Sequence, residues 1–402
     1  MTGDNYFRKG FGLKGQIEYL LSADYHSALI ESFKSNGYQL TAGHLSIRLA
    51  KEFGFCYGVD RAVEYAYETR TKFPDRNIVL VGEIIHNPHV NQKLSAMGVR
   101  FLQRDDAAKF DFSGLTKDDA VIIPAFGVTI QDFATLRSLG CVLVDTTCGS
   151  VLNVWKRVES YARDGFTAVI HGKHWHEETK ATASQVNRHP AGRYLVVFDM
   201  DEAKEVCRFI EHGGDPVAMA ERFRAGTSPG FDFGSDLQRV GIANQTTMLS
   251  SESLAIAEEF RQTMIRRYGA SHEAEHVRTF DTICSATQER QDAVITLLED
   301  RVDLMVVVGG YNSSNTCHLA ALCQRLGVKT YHIEDSDCID VASGTVRHQP
   351  VGSKGEETAA GWLNQVFTVG LTAGASTPNN KIGSTVARIL ASAGVEPQLA
   401  VK

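Results

Sequence analysis

Short apolar runs alternate with helical patterns along most of this chain, and this alternation constrains its fold more than any other feature. The run at 141–144 reads as a buried strand, and apolar residues then recur at helical spacing from 151 to 158. The same order of strand, polar turn and helix repeats toward both ends of the sequence. Such alternation is typical of parallel sheets covered by helices. The sequence therefore predicts an α/β fold with mostly parallel sheets.

The length of 402 residues predicts more than one domain. Three polar corners, at which a strand pattern gives way to a helix pattern, divide the chain into three α/β blocks. Residues 213–238 are rich in glycine and charge and have few long apolar runs, so we expect a surface insertion there. We predict an N-terminal extension at 1–45, a first domain at 46–147, a second at 148–280 that contains the insertion, and a third at 281–402.

Composition excludes several classes of protein. Hydrophobic residues make up 43% and charged residues 22%, as in soluble globular proteins. The net charge of −7 argues against broad nucleic-acid binding, and no apolar run approaches the roughly 18 residues of a membrane span. The N-terminus lacks the apolar region of a secretory signal. We expect a cytoplasmic protein whose 8 cysteines are buried, metal-bound or reactive rather than paired.

Three of the cysteines share a local context that the other five lack. Cys56, Cys148 and Cys284 each stand one or two residues before a predicted helix, where unpaired N–H groups stabilise a thiolate. No C-x-x-C or zinc spacing occurs, so spacing alone leaves open both a shared metal site and three unrelated cysteines. Three blocks that face a common centre would bring the thiolates together. Three thiolates can hold an iron–sulfur cluster and leave one iron open to substrate.

A loop rich in histidine and carboxylate follows the apolar run at 167–170. His176 and Glu178 lie in this loop, but no H-x-x-x-H pair supports a zinc site, so a zinc hydrolase is the weaker interpretation. Glu178 has two interpretations: a solvated loop acid, or a proton donor whose pKa rises near a desolvated site. The residues alone favour the first.

A polar run at 312–315 follows a predicted strand and opens a helix. Ser313 and Ser314 lie in this run between two asparagines. Its N–H groups and hydroxyls would suit a phosphate at the positive end of the helix. A helix cap needs the same residue types, and both functions are compatible.

Together these residues resemble the 4-hydroxy-3-methylbut-2-enyl diphosphate reductase family. Eight motifs occur in family order between about residue 52 and residue 380, so the resemblance is specific. The motifs are Gly54-Phe55-Cys56, Ile85-His86-Asn87, Thr147-Cys148, His176-x-Glu178, Gln245-Thr246-Thr247, Ile283-Cys284, Ser313-Ser314-Asn315 and Gly374-Ala375-Ser376.

The resemblance implies three similar α/β domains, arranged with pseudo-threefold symmetry around a central 4Fe–4S cluster. Cys56, Cys148 and Cys284 match the cluster ligands, and the fourth iron would take the substrate hydroxyl. Glu178 matches the proton source, and Thr246 matches a residue that orients the hydroxyl. The residues that match the diphosphate pocket are His86, His176, Ser313, Ser314, Asn315 and Ser376.

The implied reaction removes the hydroxyl of an allylic diphosphate with two electrons and two protons. Water leaves, and isopentenyl and dimethylallyl diphosphate form, as in the last step of the methylerythritol phosphate route to isoprenoids. The resemblance implies ferredoxin or flavodoxin as electron donor, and no flavin or nicotinamide motif is apparent that would replace it. The alternative is a non-enzymatic iron–sulfur redox or metal sensor built on the same thiolates.

One position departs from many bacterial members of the family. Phe126 stands where those members have a histidine that contacts the diphosphate. The surrounding residues resemble the plant and cyanobacterial branch instead. We expect the hydrogen bond that this histidine would donate to the diphosphate to be lost or to come from another residue. Lys173 and His174 are the candidates for that replacement.

Overall fold

A computed structural model of the chain describes residues 5–105, 109–280 and 282–396. Their contacts divide them into two compact units. Unit 1 comprises the described parts of Met1–Arg8, Asp75–Gly82 and Arg100–Cys284. Unit 2 comprises those of Lys9–Pro74, Glu83–Val99 and Ser285–Lys402. The predicted division into three domains stays a prediction.

The first sheet has five strands in the order β1-β7-β6-β4-β5. Strands β4, β6 and β7 are buried along their whole length, because helices cover the faces of a parallel sheet. The pairs β1–β7, β6–β7 and β4–β6 are all parallel. The strands are β1 (Tyr6–Phe7), β4 (Ile78–Val81), β5 (Val99–Leu102), β6 (Ala120–Ile123) and β7 (Val142–Asp145); the helices that follow β6 and β7 are α5 (Ile130–Leu139) and α6 (Gly149–Arg163).

The second sheet has four parallel strands in the order β11-β10-β8-β9. It lies wholly in unit 1, and its central strands β8 and β10 are buried at every residue. The strands are β8 (Thr167–His171), β9 (Tyr194–Val197), β10 (Val240–Asn244) and β11 (Val277–Thr279). The helices are α7 (Glu177–Ala183), α8 (Met200–His212), α9 (Pro216–Arg222), α10 (Ser250–Tyr268) and α11 (Glu273–His276).

The segment 213–238 is more than the surface insertion that its composition predicted. It contains α9 and places four apolar side chains in the core of unit 1. These side chains are spaced too irregularly along the sequence to show a helical or strand period, so the pattern did not reveal their burial. They are Met219, Phe223, Phe233 and Leu237, all at most 8% exposed.

The third sheet has five strands in the order β13-β12-β17-β3-β2 and forms the centre of unit 2. Only the β2–β3 pair is antiparallel. The strands are β2 (Gln39–Ala42), β3 (Leu45–Leu49), β12 (Leu304–Val308), β13 (Thr330–Ile333) and β17 (Thr368–Ala373); a small antiparallel sheet contains β14 (Ile339–Asp340), β15 (Thr345–His348) and β16 (Glu357–Ala360). The helices are α1 (Lys14–Tyr25), α2 (Ala28–Ser35), α3 (Tyr57–Lys72), α4 (Pro88–Ala96), α12 (Ser285–Glu299), α13 (Ser314–Arg325) and α14 (Asn379–Ser392).

These sheets confirm the predicted α/β class with several mostly parallel sheets. Among the helices that the structure describes, none is both long and apolar enough to cross a membrane.

Most of the predicted N-terminal extension is built into unit 2. Ile30 and Phe33 of α2 belong to its main core, and β2 forms the edge of its sheet. The segment before α1 is held by the buried carboxylate of Glu68, which accepts the N–H groups of Phe11 and Leu13 at 2.6 Å each. This carboxylate therefore anchors the start of the chain to α3.

We expect Glu68→Ala to destabilise the protein by about 1–3 kcal/mol, because two backbone N–H groups lose their acceptor. Urea unfolding followed by circular dichroism measures this change. Glu64→Gln is the matched control on the same helix, since Glu64 forms an ion pair with the exposed Lys14 and such pairs contribute little. Equal stability of the two variants would contradict an anchoring role for Glu68.

Candidate functional site

Cys56 lies at the N-terminus of α3 in unit 2. Its N–H donates to Ala375 O at 3.3 Å, and the N–H of Gly54 donates to Ala373 O at 3.3 Å. Gly54 has a φ of +68°, and a Cβ there would lie 3.1 Å from Thr377 O. The loop that carries Cys56 therefore follows the end of β17 closely.

Cys148 lies at the N-terminus of α6 in unit 1. Its N–H donates to Ala125 O at 2.9 Å. The turn before it is organised by Asp145, whose carboxylate accepts from Thr147 N at 3.0 Å, Thr147 Oγ1 at 2.5 Å and Tyr6 OH at 2.5 Å. Asp145 is buried, so these bonds hold the backbone in place directly before the thiol.

Cys284 directly precedes α12 in sequence. Two residues earlier, the Thr282 hydroxyl forms a hydrogen bond with Asn244 Oδ1 and accepts the Asn244 N–H at 3.1 Å. All three cysteines are thus half-buried and lie immediately before a helix, as predicted. Orphan N–H groups there favour a thiolate.

Three of the other five cysteines lie in buried surroundings that disfavour a thiolate. Burial raises the pKa of both Cys207 and Cys323 to about 12 and also raises the pKa of Cys141. Across the described residues no cysteine forms a disulfide, and no group of three or more His, Cys, Asp and Glu side chains is arranged to hold a metal ion. A cluster shared by Cys56, Cys148 and Cys284 stays a prediction.

Glu178, Thr246 and His176 come together in unit 1, and we call them the carboxylate site. Glu178 is 2% exposed, and its Oε1 accepts the N–H of Thr246 at 2.5 Å. The N–H of Glu178 in turn donates to Nδ1 of His176 at 3.2 Å. Because Nδ1 is an acceptor, the neutral imidazole of His176 carries its proton on Nε2.

Gln245 holds the two loops of the carboxylate site together, although the sequence analysis gave it no separate role. Its Oε1 accepts from Lys173 N at 3.1 Å and from Thr179 Oγ1 at 3.0 Å. Its Nε2 donates to Thr247 Oγ1 at 2.8 Å. One buried amide therefore fixes the loops after β8 and β10 relative to each other.

Phe126 packs edge-on against the ring of His176, with centroids 6.1 Å apart. The turn that carries it is fixed by Gly127, which has a φ of +75° and leaves only 2.4 Å between a built Cβ and the Trp155 ring. Phe126 thus contacts a residue of the carboxylate site directly.

Two candidates for a replacement donor lie in the loop before His176. The ring of His174 packs against Trp175 at 4.8 Å, and Trp175 is 52% exposed. Lys173 is held through its backbone, as described above. A diphosphate contact from either residue stays a prediction.

Five residues predicted for the diphosphate pocket come together in unit 2, and we call them the hydroxyl site. Ser313 caps α13 and accepts from Thr316 N at 3.4 Å. Ser376 Oγ lies 3.4 Å from Ser313 Oγ and donates to His86 O at 3.2 Å. The set comprises His86, Ser313, Ser314, Asn315 and Ser376.

Two features of the hydroxyl site indicate an anionic ligand. Ser314 Oγ is buried and has no hydrogen-bond partner in the described part of the chain. It lies in the first turn of α13, where the helix dipole favours negative charge. Glu83, which the sequence motifs did not single out, accepts from His86 Nδ1 at 2.8 Å and orients its ring. The spacing of three residues between Glu83 and His86 was the feature of the sequence that could have indicated this contact.

The LytB protein family model matches residues 47–390 of the chain. A 4-hydroxy-3-methylbut-2-enyl diphosphate reductase from Gloeobacter violaceus is 48% identical over 399 residues, which is 98% of this chain and 94% of that protein. The enzyme of the same name from Thermosynechococcus vestitus is 46% identical over 391 residues, with 97% and 95% covered.

Two solved structures are similar to the chain. The structure of (E)-4-hydroxy-3-methyl-but-2-enyl diphosphate reductase, the terminal enzyme of the non-mevalonate pathway, matches with a TM-score of 0.52 at 28% identity. The match covers 85% of this chain and 98% of that enzyme's chain. The Plasmodium falciparum E-1-hydroxy-2-methyl-but-2-enyl-4-diphosphate reductase has a TM-score of 0.63 at 21% identity, with 86% and 87% covered. The second match bears on the fold alone.

We expect Gly127→Ala to destabilise the protein by about 1–3 kcal/mol more than Gly140→Ala, because only the first Cβ meets Trp155. Gly140 is the matched control, since its φ of +73° gives the same backbone strain with nothing within 4 Å of the built Cβ. Urea unfolding of both variants measures the difference. Equal losses would show that the Trp155 contact does not constrain the Phe126 turn.

Proposed function

This chain belongs to the LytB protein family, and on that premise we propose that its carboxylate site and hydroxyl site serve one reductive reaction on an allylic diphosphate. The chain is an oxidoreductase that catalyses the last step of the non-mevalonate isoprenoid pathway. That step converts (E)-4-hydroxy-3-methylbut-2-enyl diphosphate to isopentenyl and dimethylallyl diphosphate. Two electrons and two protons enter, the C–O bond to the hydroxyl breaks, and water leaves.

Iron–sulfur chemistry is characteristic of this family, and we propose Cys56, Cys148 and Cys284 as ligands of a 4Fe–4S cluster. The fit rests on their common position before a helix, where unpaired N–H groups are available, and on their partial exposure, whereas Cys207 and Cys323 are buried. When bound, the cluster supplies electrons and a Lewis-acidic iron for the leaving oxygen. Three ligands leave one iron open for that purpose.

Glu178 is the proposed proton donor, and its placement carries the proposal. A carboxylate 2% exposed is shielded from water, and the N–H of Thr246 fixes one of its oxygens at 2.5 Å. A fixed, desolvated carboxylic acid can deliver a proton to a departing hydroxyl without competition from solvent. Thr246, on the loop after β10, is the proposed partner for the substrate hydroxyl.

The hydroxyl site is the proposed pocket for the diphosphate. The Ser314 hydroxyl is buried and finds no partner among the described residues, which is costly unless a ligand completes its hydrogen bonds. Ser313, Ser376 and the N-terminus of α13 surround it with further donors. Asn315 holds the backbone next to Ser376 in place, since its Oδ1 accepts a hydrogen bond from Ala375 N at 3.0 Å.

Two further contributions are proposed for the same reaction. The Nε2 proton of His176 suits a hydrogen bond to phosphate, because Nδ1 is already an acceptor. Phe126 lacks a donor but packs on this imidazole, so we propose that it positions His176. Ferredoxin or flavodoxin is the proposed electron donor.

The decisive test is anaerobic turnover. We expect the reconstituted protein to be brown, with absorbance at about 400 nm. We also expect it to convert the allylic diphosphate when a reduced dye supplies the electrons. Mass analysis of the products measures the conversion. A brown protein without turnover would favour the redox or metal sensor, and a colourless one would argue against the cluster.

We expect Glu178→Gln to lower turnover at least about 100-fold while the cluster absorbance remains, because the amide cannot donate a carboxyl proton. Anaerobic kinetics with the reduced dye measure this. Glu177→Gln is the matched control, since the adjacent Glu177 is half-exposed and forms an ion pair with Arg104. Unchanged turnover in Glu178→Gln would remove Glu178 from the reaction.

We expect Ser314→Ala to raise KM on the order of tenfold with little change in kcat, because it removes a ligand contact rather than a reacting group. Ser392→Ala is the control, since Ser392 Oγ is likewise buried with no partner in the described ranges but lies at the end of α14. A KM equal to that of the control would contradict the proposed pocket.

A further inference from the structure

Arg290 of α12 is a buried cation whose hydrogen bonds to the described residues all go to backbone carbonyls. The residue is 3% exposed. Its Nη2 and Nε donate to Gly54 O at 2.7 and 3.3 Å, and its Nη1 donates to Ala286 O at 2.7 Å. The planar guanidinium therefore connects the first turn of α12 to the loop that carries Cys56, 236 positions away in sequence.

The contacted loop has little freedom to move. Gly54 is two residues before Cys56, and a Cβ built on it would lie 3.1 Å from Thr377 O and 3.2 Å from Asn379 Oδ1. Its N–H is bonded to the end of β17 and its carbonyl to Arg290. The N–H and the carbonyl of Gly54 are therefore both hydrogen-bonded, which holds the backbone in place two residues before Cys56.

The charge of Arg290 interacts with Asp60 but forms no ion pair among the described residues. Within the described part of the chain its guanidinium donates to backbone carbonyls and to no acid, whereas buried charges are usually paired. Its field does reach the start of α3: desolvation raises the pKa of Asp60, and the charge of Arg290 acts against that rise. The positive charge of Arg290 therefore lies beside the Cys56 loop and also interacts with Asp60 in the first turn of α3.

We propose that Arg290 is a positioning residue that holds the Cys56 loop and whose buried charge raises the reduction potential of the cluster. The inference rests on the proposed function, since it needs Cys56 to be a ligand. Reduction adds one negative charge to a cluster already bound by thiolates. A nearby cation in a low-dielectric interior favours that reduced state, and net charge is among the factors that set such potentials.

Two substitutions separate the charge from the bonds. Arg290→Met removes both the charge and the hydrogen bonds at similar length. Arg290→Lys keeps the charge but cannot span Gly54 O and Ala286 O as a planar fork. Arg301→Met is the control for loss of a charge in the same unit, because Arg301 has a 95% exposed side chain.

The first experiment is a redox titration of the reconstituted full chain, followed by electron paramagnetic resonance. For Arg290→Met we expect the ratio of reduced to oxidised cluster at a fixed potential to fall about tenfold, or about 59 mV for a one-electron couple. Arg290→Lys and Arg301→Met should stay near the unmodified protein. A potential unchanged in Arg290→Met would overturn the charge effect.

The second experiment needs no cluster. Hydrogen exchange of the apoprotein, read on a peptide spanning 52–58, should be faster in both Arg290 variants and unchanged in Arg301→Met, because the Gly54 carbonyl loses its donor. Unchanged exchange in Arg290→Met would overturn the positioning role, even if that variant fails to load a cluster.

Failure of the inference is distinguishable from failure of the proposed function. If the unmodified chain binds no iron–sulfur cluster, the proposed function fails before any variant is compared. If it loads and turns over while Arg290→Met matches it in both potential and exchange, only the role of Arg290 is wrong.

Discussion

Parallel strand pairing is the constraint on which this structure depends. In each parallel sheet the strands end at one edge, and buried strands such as β7, β8 and β12 leave no place for polar chemistry except the turns beyond those ends. Cys148 follows β7, the His176 loop follows β8, and Ser313 follows β12. The helix that opens after each turn then supplies unpaired N–H groups, which favour thiolate or phosphate at that point.

Single buried polar side chains make these turns rigid. Asp145 accepts three hydrogen bonds before Cys148, Gln245 links the loops after β8 and β10, and Arg290 binds the carbonyl of Gly54. Each of these side chains forms a hydrogen bond with a backbone group. If that group were buried without a partner, the protein would lose about 1–3 kcal/mol of stability per group. Preorganisation of this kind suits a reaction in which proton and substrate positions must be held without help from water.

The α/β class and the helix-start position of Cys56, Cys148 and Cys284 were predictable, because both follow from local patterns of a few residues. Glu178 was ambiguous, since its loop composition equally suits a solvated acid. Only the fold shows that Glu178 is buried and that its carboxylate accepts a hydrogen bond from the N–H of Thr246. The segment 213–238 was misjudged for the converse reason: its buried side chains lack a period, and tertiary contacts alone reveal them.

By itself the sequence determined where strands give way to helices and which residue types stand at those corners, since hydrophobic period and turn chemistry act over short distances. The tertiary structure decided which corners support one another. Arg290 and Gly54 are 236 positions apart, and Glu178 and Thr246 are 68. No local pattern encodes such pairs, because a hydrogen bond across the fold depends on how complete elements pack, and packing is a property of the whole chain.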